Sequence, residues 1–272
     1  MKLQDGREIH VRRAGDPSDV PVVLLHGFPG SSADWERVVP LLDREVVSFD
    51  FPGYGHSSKD RGASYSLFTQ ASVVEEILGQ LGITRCVLLA HDMGDTVAAE
   101  LAVRHNAGSL AFSVEQIVLT NGSIFIDQAQ LTRGQKLTLR LPNRPSLFSL
   151  PTFVMRHSLK ESFTRDAPAP PGAIDELIAQ IRHDKGDRLM PVLIRYIEER
   201  RQHQDRWTAG FVDFQGPLSM IWGVLDPIAV LPMTERLKSL RPATDVVTLE
   251  GVGHWPSIEA AERLAAEVNR VL

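Results

Sequence analysis

Short apolar runs alternate with longer segments of helical periodicity over most of the chain. This alternation is typical of buried parallel strands with helices on both faces of the sheet, so the predicted fold class is α/β. The pattern predicts strands at Val20–Leu25, Glu45–Ser48, Thr84–Ala90, Gln116–Thr120, Leu218–Trp222 and Asp245–Leu249. It predicts helices from Ser31 to about Leu42, over Tyr65–Leu81 and over Gly94–His105.

The alternation stops between residues 123 and 215. This stretch holds a proline cluster at residues 167–171, charged segments of helical spacing and no strand with a clear boundary. Its apolar residues recur at helical spacing, which argues against a disordered linker. We therefore expect one core formed by residues 1–122 and 216–272, with residues 123–215 inserted as a helical cap.

Composition excludes several classes of function. The 272 residues are 43% apolar and carry a net charge of −5 with no isolated basic block, so no nucleic-acid partner is expected. The N-terminal segment lacks the apolar core of a signal peptide, and no run of roughly 18 apolar residues occurs, so we expect no membrane partner. The lone Cys86 cannot form an internal disulfide, which fits a cytoplasmic location. The oligomeric state is left open between a monomer and a homodimer.

The candidate nucleophile is Asp92, in the stretch Ala-His-Asp-Met-Gly that follows the third predicted strand. Small residues flank the central position, as in a nucleophile elbow, where a strained turn presents one side chain between a strand and a helix. A carboxylate is a weak acyl nucleophile but can displace a leaving group from an sp³ carbon and form an ester. The alternative is an ordinary strand-to-helix turn with a capping aspartate.

Two further residues complete a candidate triad. Asp226 follows the predicted strand Leu218–Trp222, and His254 follows the last predicted strand. Nucleophile, acid and histidine come in the chain order of the elbow-containing hydrolases. His254 would activate water to hydrolyse the ester, and Asp226 would orient the imidazole. Either residue alone could instead be a helix cap or a hydrogen-bonding core residue.

Two loops lie beside this triad. His-Gly-Phe-Pro at residues 26–29 follows the first predicted strand, and the amides of Phe28 and Met93 would form an oxyanion hole. A purely structural turn is the alternative for this loop. The glycine-rich loop Asp50–Ser57 is predicted to be structural.

These motifs resemble those of the α/β-hydrolases with an aspartate nucleophile, which include epoxide hydrolases, haloalkane dehalogenases and haloacetate dehalogenases. The resemblance extends over nearly the whole chain through H-G-F-P, D-F-P-G-Y-G-H-S, A-H-D-M-G, G-V-L-D-P and G-V-G-H-W. Residues 91–101, 119–125 and 196–207 are most similar to the mesoderm-specific-transcript-like members. The resemblance implies the α/β-hydrolase fold and the Asp92–Asp226–His254 triad.

The resemblance also bears on the leaving group. The segment that begins at Tyr196 is similar to the epoxide-hydrolase cap segment that carries a ring-opening tyrosine. The alternative is a core tyrosine on an amphipathic helix. A second cap tyrosine is missing from the sequence, and His157 is the candidate substitute for it.

Dehalogenases of this group differ from the chain at key positions. Met93 replaces the tryptophan that follows the nucleophile in haloalkane dehalogenases, and Phe28 replaces their halide-binding asparagine. Met93 and Asp95 replace the arginines of haloacetate dehalogenases. Elimination therefore favours an epoxide hydrolase that acts on a small, neutral, partly apolar substrate with water and needs no metal or cofactor. A haloalkane dehalogenase and a non-catalytic ligand-binding relative remain alternatives, and a conventional esterase would require another nucleophile.

Overall fold

A seven-stranded β-sheet forms the centre of the computed structural model, which describes all residues from 1 to 272. The strands are β1 (Val11–Ala14), β2 (Val22–Leu25), β3 (Val46–Phe49), β4 (Arg85–His91), β5 (Ser113–Thr120), β6 (Leu218–Gly223) and β7 (Asp245–Leu249). Their order across the sheet is β1-β3-β2-β4-β5-β6-β7, and only β1 runs antiparallel to its neighbour. The six predicted strands and the α/β-hydrolase fold class are confirmed.

Strand β1 was not predicted from the sequence. Its residues, Val-Arg-Arg-Ala, are half-buried or exposed because the strand lies at the edge of the sheet and pairs only with β3. Such a strand needs no continuous apolar run, so hydrophobic periodicity does not reveal it.

Ten helices accompany the sheet. They are α1 (Leu67–Gln80), α2 (Met93–Asn106), α3 (Arg133–Leu139), α4 (Thr152–Lys160), α5 (Ala173–Arg182), α6 (Met190–Leu193), α7 (Tyr196–Val212), α8 (Pro232–Leu240), α9 (Pro256–Glu259) and α10 (Ala261–Val271). Helices α1 and α2 confirm two predictions. The helix predicted from Ser31 to Leu42 is wrong, because the chain forms two separate 3-10 turns there. Pro40 has no N–H to donate to the carbonyl of Glu36, so an α-helix cannot continue through it.

The chain between β5 and β6 contains α3 to α7 and no strand. We refer to residues 123–215 as the cap. Its last helix, α7, packs along α2, where the buried Glu100 carboxylate accepts hydrogen bonds from Arg206 Nε at 2.9 Å and from Trp207 Nε1 at 3.0 Å. The cap is therefore fastened to the helix that begins directly after Asp92.

Two apolar cores lie on opposite faces of the sheet. Val23 and Leu25 face the core that contains α1, α2, α8 and part of the cap, whereas Val22 and Leu24 face the core that contains α10. This alternation follows from the two-residue period of a strand. The parallel strands β2, β4, β5 and β6 are neighbours in that order, so their carboxyl ends lie along one edge of the sheet. None of the helices combines the length and apolar character that a bilayer crossing requires.

Candidate active site

The elbow between β4 and α2 holds Asp92 in a strained backbone conformation, with φ 46° and ψ −107°. Non-glycine residues rarely adopt positive φ, and such strain persists only where the surroundings enforce it. Two glycines enforce it here. A Cβ on Gly94 would lie 2.2 Å from the carbonyl oxygen of Leu25, and one on Gly27 would lie 2.7 Å from Cβ of Asp92. The turn is therefore too tight for any side chain at either glycine.

The carboxylate of Asp92 is 2% exposed and reaches the loop after β2. Its Oδ2 accepts a hydrogen bond of 2.9 Å from the amide of Phe28. The amide of Met93, the first residue of α2, has no hydrogen-bond partner in the structure. An oxyanion that forms at Oδ2 would therefore meet one donor already in place and a second donor that is free.

His26 fixes the loop that carries Phe28. Its Nε2 accepts a hydrogen bond from the amide of Phe51 at 2.9 Å, so its Nδ1 carries the proton and donates to the carbonyl of Gly27 at 2.9 Å. Burial lowers the pKa of His26, which keeps this imidazole neutral. The histidine of the His-Gly-Phe-Pro motif thus has a structural role.

The acid and the histidine of the candidate triad are in contact. His254 Nδ1 lies 2.9 Å from Asp226 Oδ2, and both side chains are buried. Asp226 accepts three more hydrogen bonds, from the amides of Ile228 and Ala229 and from the side chain of Asn121. These hydrogen bonds hold the carboxylate in place, and it orients the imidazole so that Nε2 is free to take a proton from water.

The protonation of His254 reflects opposing effects. Burial lowers its pKa, but the carboxylates of Asp226 and Asp92 raise it, and the net shift is upward. The effect of Asp92 on this pKa places Asp92 and His254 in one electrostatic site. His254 therefore loses its proton at a higher pH than an isolated histidine does.

His91 contacts the backbone of His254. Its Nε2 lies 2.7 Å from the carbonyl oxygen of His254. Burial lowers the pKa of His91 to about 4, so the ring is neutral, and Nε2 must carry the proton because a carbonyl only accepts. The residue before the nucleophile thus holds the backbone of the base, a contact that sequence reasoning missed.

Arg200 of α7 is the second residue that sequence reasoning missed. Its Nη2 donates to the carbonyl oxygen of Asp92 at 2.6 Å, its Nε donates to Thr96 at 2.7 Å, and its Nη1 lies 3.6 Å from Oδ1 of Asp92. Both side chains are almost fully buried. The guanidinium therefore balances the buried charge of Asp92 and ties the elbow to the cap.

Asp95, in the first turn of α2, is a second buried carboxyl near Arg200. Neither of its oxygens makes a hydrogen bond, although the amides of Thr120 and Gly122 lie nearby. Burial raises the pKa of Asp95 well above its usual range, and the opposing effect of Arg200 is smaller. Burial therefore favours the neutral form of Asp95 in the folded protein.

Two tyrosines lie near the nucleophile. Tyr196 is buried at the start of α7, with its ring 5.4 Å from the ring of Phe28 and 4.7 Å from the guanidinium of Arg200. Tyr54, from the loop Asp50–Ser57, is buried beside them and donates to Met93 Sδ at 3.2 Å. Burial raises the pKa of both hydroxyls, and the charge of Asp92 adds to the effect, so both stay protonated. Tyr54 thus adds a buried core tyrosine beside the one from the cap.

His157 does not reach the site. Its side chain is 75% exposed on the outer face of α4, 3.9 Å from Glu161, and it does not line the cavity beside His254. The structure does not bring His157 to the site where a substrate contact was expected, because α4 turns Met155, Ser158 and Leu159 toward the interior instead.

A metal-type cluster lies away from the triad. Ligand atoms of His10, Asp50 and His56 lie within 4.8 Å of one another. The Asp50 carboxylate already accepts hydrogen bonds from the amide and hydroxyl of Ser32 and from the amide of His56. These bonds make Asp50 the anchor of the glycine-rich loop, which agrees with its predicted structural role.

One cavity lies between His254 and the cap, and of the candidate triad only His254 lines it. It measures about 650 Å³ including its mouth, and its inner wall includes Phe28, His254 and Trp255. Its outer wall consists of residues from α3 and α4 and the loop between them: Thr132, Gly134, Gln135, Thr138, Leu150, Met155, Ser158, Leu159 and Ser162. No lysine, arginine, aspartate or glutamate lines it. A neutral, mostly apolar ligand fits this chemistry.

The comparisons with known proteins agree with this geometry. The model of the alpha/beta hydrolase fold family matches residues 20–261. LipZ from Mycobacterium tuberculosis is 39% identical over 92% of this chain and 87% of its own length, and the mesoderm-specific transcript protein of Mus musculus is 34% identical over 88% and 74%. The enol-lactonase structure from Burkholderia xenovorans LB400 superposes with a TM-score of 0.78 at 17% identity, covering 99% of this chain and 97% of that one. The chain belongs to the alpha/beta hydrolase fold family and is a hydrolase of that family.

Proposed function

We propose that the chain hydrolyses a neutral, partly apolar epoxide to a diol through a covalent ester on Asp92. The observation that carries the proposal is the identity and placement of Asp92: a carboxylate occupies the strained elbow, with one oxygen on the amide of Phe28. A buried carboxylate with an in-place oxyanion donor is suited to forming and then losing an ester.

In the first step Oδ1 of Asp92 attacks an epoxide carbon, because Oδ2 is held by Phe28. A C–O bond to the enzyme forms while the ring C–O bond breaks. The departing oxygen takes a proton from the hydroxyl of Tyr196, and Tyr54 is a second buried tyrosine close to Phe28. The pKa of each tyrosine is raised by burial, so each holds the proton that an alkoxide requires.

In the second step His254 takes a proton from water, and the resulting hydroxide attacks Cγ of Asp92. The tetrahedral oxyanion lies on Oδ2, where the amides of Phe28 and Met93 stabilise it. Collapse breaks the Cγ–Oδ1 bond, and the released diol oxygen takes the proton back from His254. The second proton of the water, left on the new carboxyl group of Asp92, returns to the oxygen of Tyr196 and restores both residues. Asp226 stabilises the imidazolium that exists between these proton transfers.

Dehalogenation of a neutral alkyl halide is the second candidate, because the covalent step would be the same. Halide departure needs N–H donors directed at the leaving group. Trp255 is the only tryptophan that lines the cavity, and its indole N–H already donates to Ser162 at 2.8 Å. Hydroxyl donors beside Asp92 therefore favour the epoxide.

The test uses His254→Ala, which blocks the second step and should let the ester accumulate. The variant is incubated with a panel of epoxides and a panel of haloalkanes, and the intact protein is weighed. We expect an adduct with the mass of a whole epoxide, mapped to Asp92 and absent from the double variant with Asp92→Ala. An alkyl adduct without halogen would assign a dehalogenase, and no adduct with either panel would support the non-catalytic relative.

The role of the leaving-group donor has its own test. Tyr196→Phe should slow adduct formation with epoxides by about 10²-fold or more and leave haloalkane reactions unchanged. Tyr65→Phe is the matched control, since this hydroxyl donates to the carbonyl of Asp60 away from the triad. An equal loss with both panels would contradict a donor role for Tyr196.

A further inference from the structure

One segment of the cap differs from the rest of the surface in both charge and hydrophobicity. Residues 131–165 contain seven arginines and lysines and a single acidic residue, Glu161, whereas the whole chain carries a net charge of −5. The other 33 acidic residues of the chain lie elsewhere. We call residues 131–165 the basic segment. An acidic protein therefore presents one strongly basic region.

The positive charges of the basic segment are available to a partner. Six of its seven basic residues are exposed and form no ion pair: Arg133, Lys136, Arg140, Arg144, Lys160 and Arg165. The seventh, Arg156, pairs with Asp175 of α5. Surface cations of a folded protein usually have acidic neighbours, so this set lacks the intramolecular partners that would neutralise it.

The same segment exposes most of the large apolar side chains found on the surface. Phe148 is 79% exposed, Phe153 74%, Leu147 70% and Leu137 60%, with Leu141 at 43%. Outside the segment only Leu41 and Leu240 are similarly exposed. These five residues lie on α3, on the first turn of α4 and on the loop between them, which forms one contiguous stretch of chain. Clustered exposed apolar residues mark interaction sites.

The basic segment also supplies nine of the 17 residues that line the cavity beside His254. Half-exposed Thr132, Thr138 and Leu150 line that cavity, and they alternate along the chain with the exposed apolar and basic residues. An apolar ligand that enters between α3 and α4 must pass this surface. A surface that concentrated apolar compounds would therefore supply the cavity directly.

We propose that the basic segment docks on the surface of an anionic lipid bilayer. The cations attract anionic headgroups, and the exposed phenylalanines and leucines enter the boundary between headgroups and acyl chains. This combination of a cationic rim and projecting aromatic and aliphatic side chains is that of a peripheral membrane protein. The docking needs no spanning helix. It departs from the sequence-based expectation of no membrane partner, which rested on spans and signal peptides alone.

The test is co-sedimentation of the full chain with vesicles of phosphatidylcholine alone and of phosphatidylcholine mixed with phosphatidylglycerol. We expect binding to the anionic vesicles, weakening steeply as salt is raised, and much weaker binding to the neutral ones. Arg140→Gln with Arg144→Gln should weaken anionic binding by about 25-fold, since each removed charge is worth roughly fivefold. Phe148→Ser with Phe153→Ser should weaken it by about tenfold or more.

The control variant is Lys238→Gln with Leu240→Ser on α8, which changes an exposed lysine and an exposed leucine outside the segment. It should bind like the wild type. A fluorophore on Ser149→Cys should report an apolar environment with anionic vesicles, and one on Ser239→Cys should not. The native Cys86 is buried and does not compete for the label.

Three outcomes would overturn the proposal. The wild type could fail to bind anionic vesicles, or the α8 variant could lose binding as much as the segment variants do. Alternatively, light scattering could show a dimer that Phe148→Ser with Phe153→Ser dissociates, which would make the segment a subunit interface. Asp92→Ala should bind vesicles unchanged, so failure of docking and failure of the proposed hydrolysis are distinguishable.

Discussion

The elbow and the basic segment are opposites in construction. At the elbow, Asp92 has a strained backbone, its neighbours Gly27 and Gly94 leave no room for a methyl group, and its charge is paired with buried Arg200. In the basic segment, phenylalanines project into solvent and six cations have no partner. Close packing on all sides fixes the conformation of the elbow. The side chains of the basic segment instead face solvent and make few contacts inside the protein.

This difference teaches where each part of the function lies. Covalent chemistry requires atoms held within fractions of an ångström, so the proposed reaction needs the rigid strand ends on which the candidate triad lies. The proposed docking requires only a suitable surface, which short cap helices can provide. Equivalent substitutions in the two regions should therefore have very different consequences.

The largest expected effect is on the base at the rigid site. Asp226→Asn should lower the hydrolysis rate by about 10³-fold or more, because the imidazole loses the carboxylate that orients it. It should also shift the pH profile. Asp226 raises the pKa of His254, and activity is lost as pH falls through that pKa, so the acid limb should move to lower pH in the variant. A pH–rate series checks this, and an unchanged acid limb would contradict the assignment of His254 as the base.

A single methyl group should disrupt the elbow. Gly94→Ala places its Cβ 2.2 Å from the carbonyl oxygen of Leu25 on the central strand β2, and we expect it to cost about 3 kcal/mol in the free energy of unfolding. Gly79→Ala, at an exposed position of helix α1, is the matched control, since nothing lies within 4 Å of its Cβ. The control should stabilise by about 0.5 kcal/mol. Urea denaturation measures both, and equal effects would mean that the elbow is not tight.

Replacement of the buried Asp95, near Arg200, should stabilise the protein, whereas Gly94→Ala should destabilise it. Asp95→Asn should raise the free energy of unfolding at pH 7 by about 2 kcal/mol. In the wild type, ionisation of Asp95 at this pH stabilises the unfolded state but not the folded state, and asparagine removes that difference. Burial raises the pKa of Asp95, so the wild type loses stability as pH rises above the normal aspartate range. The difference between the two proteins should vanish near pH 4. A gain that persists there would point to a cause other than ionisation.

The smallest effect is expected on the cap surface. Phe153→Ala should change the free energy of unfolding by less than about 0.5 kcal/mol, since the ring is 74% exposed. Phe125→Ala removes the same ring from the core and is the contrasting variant. Thermal denaturation of both decides whether the segment contributes to stability. A large loss for Phe153→Ala would show that the exposed phenylalanines have a structural role.

The sequence predicts the elements whose signals are local. Strands buried on both faces appear as apolar runs, and Asp92 and Asp226 follow two of them, whereas His254 follows the edge strand β7. Since the carboxyl ends of parallel strands meet at one edge, strand order alone brings these three together. Edge strand β1 lacked that apolar run, and Pro40 prevented the helix expected after Ser31.

Long-range contacts were beyond sequence reasoning. Arg200 lies 108 residues from Asp92 along the chain, and nothing in the spacing of α7 indicates that its guanidinium reaches the elbow. Tyr54 was hidden in a loop with an evident structural role, and Asn121 gave no sign of its bond to Asp226. His157 illustrates the reverse error, in which a suitable side chain lies on the wrong face of its helix.

The most direct test of ester formation on Asp92 traces oxygen-18 from water into the protein. The wild type hydrolyses an epoxide in water enriched in oxygen-18, and the peptide that contains Asp92 is then weighed. If Asp92 forms an ester that water attacks at Cγ, the label enters the Asp92 carboxylate and accumulates there over repeated turnovers. If the label appears in the diol alone and never in Asp92, water attacks the substrate directly, and the covalent mechanism on Asp92 is wrong.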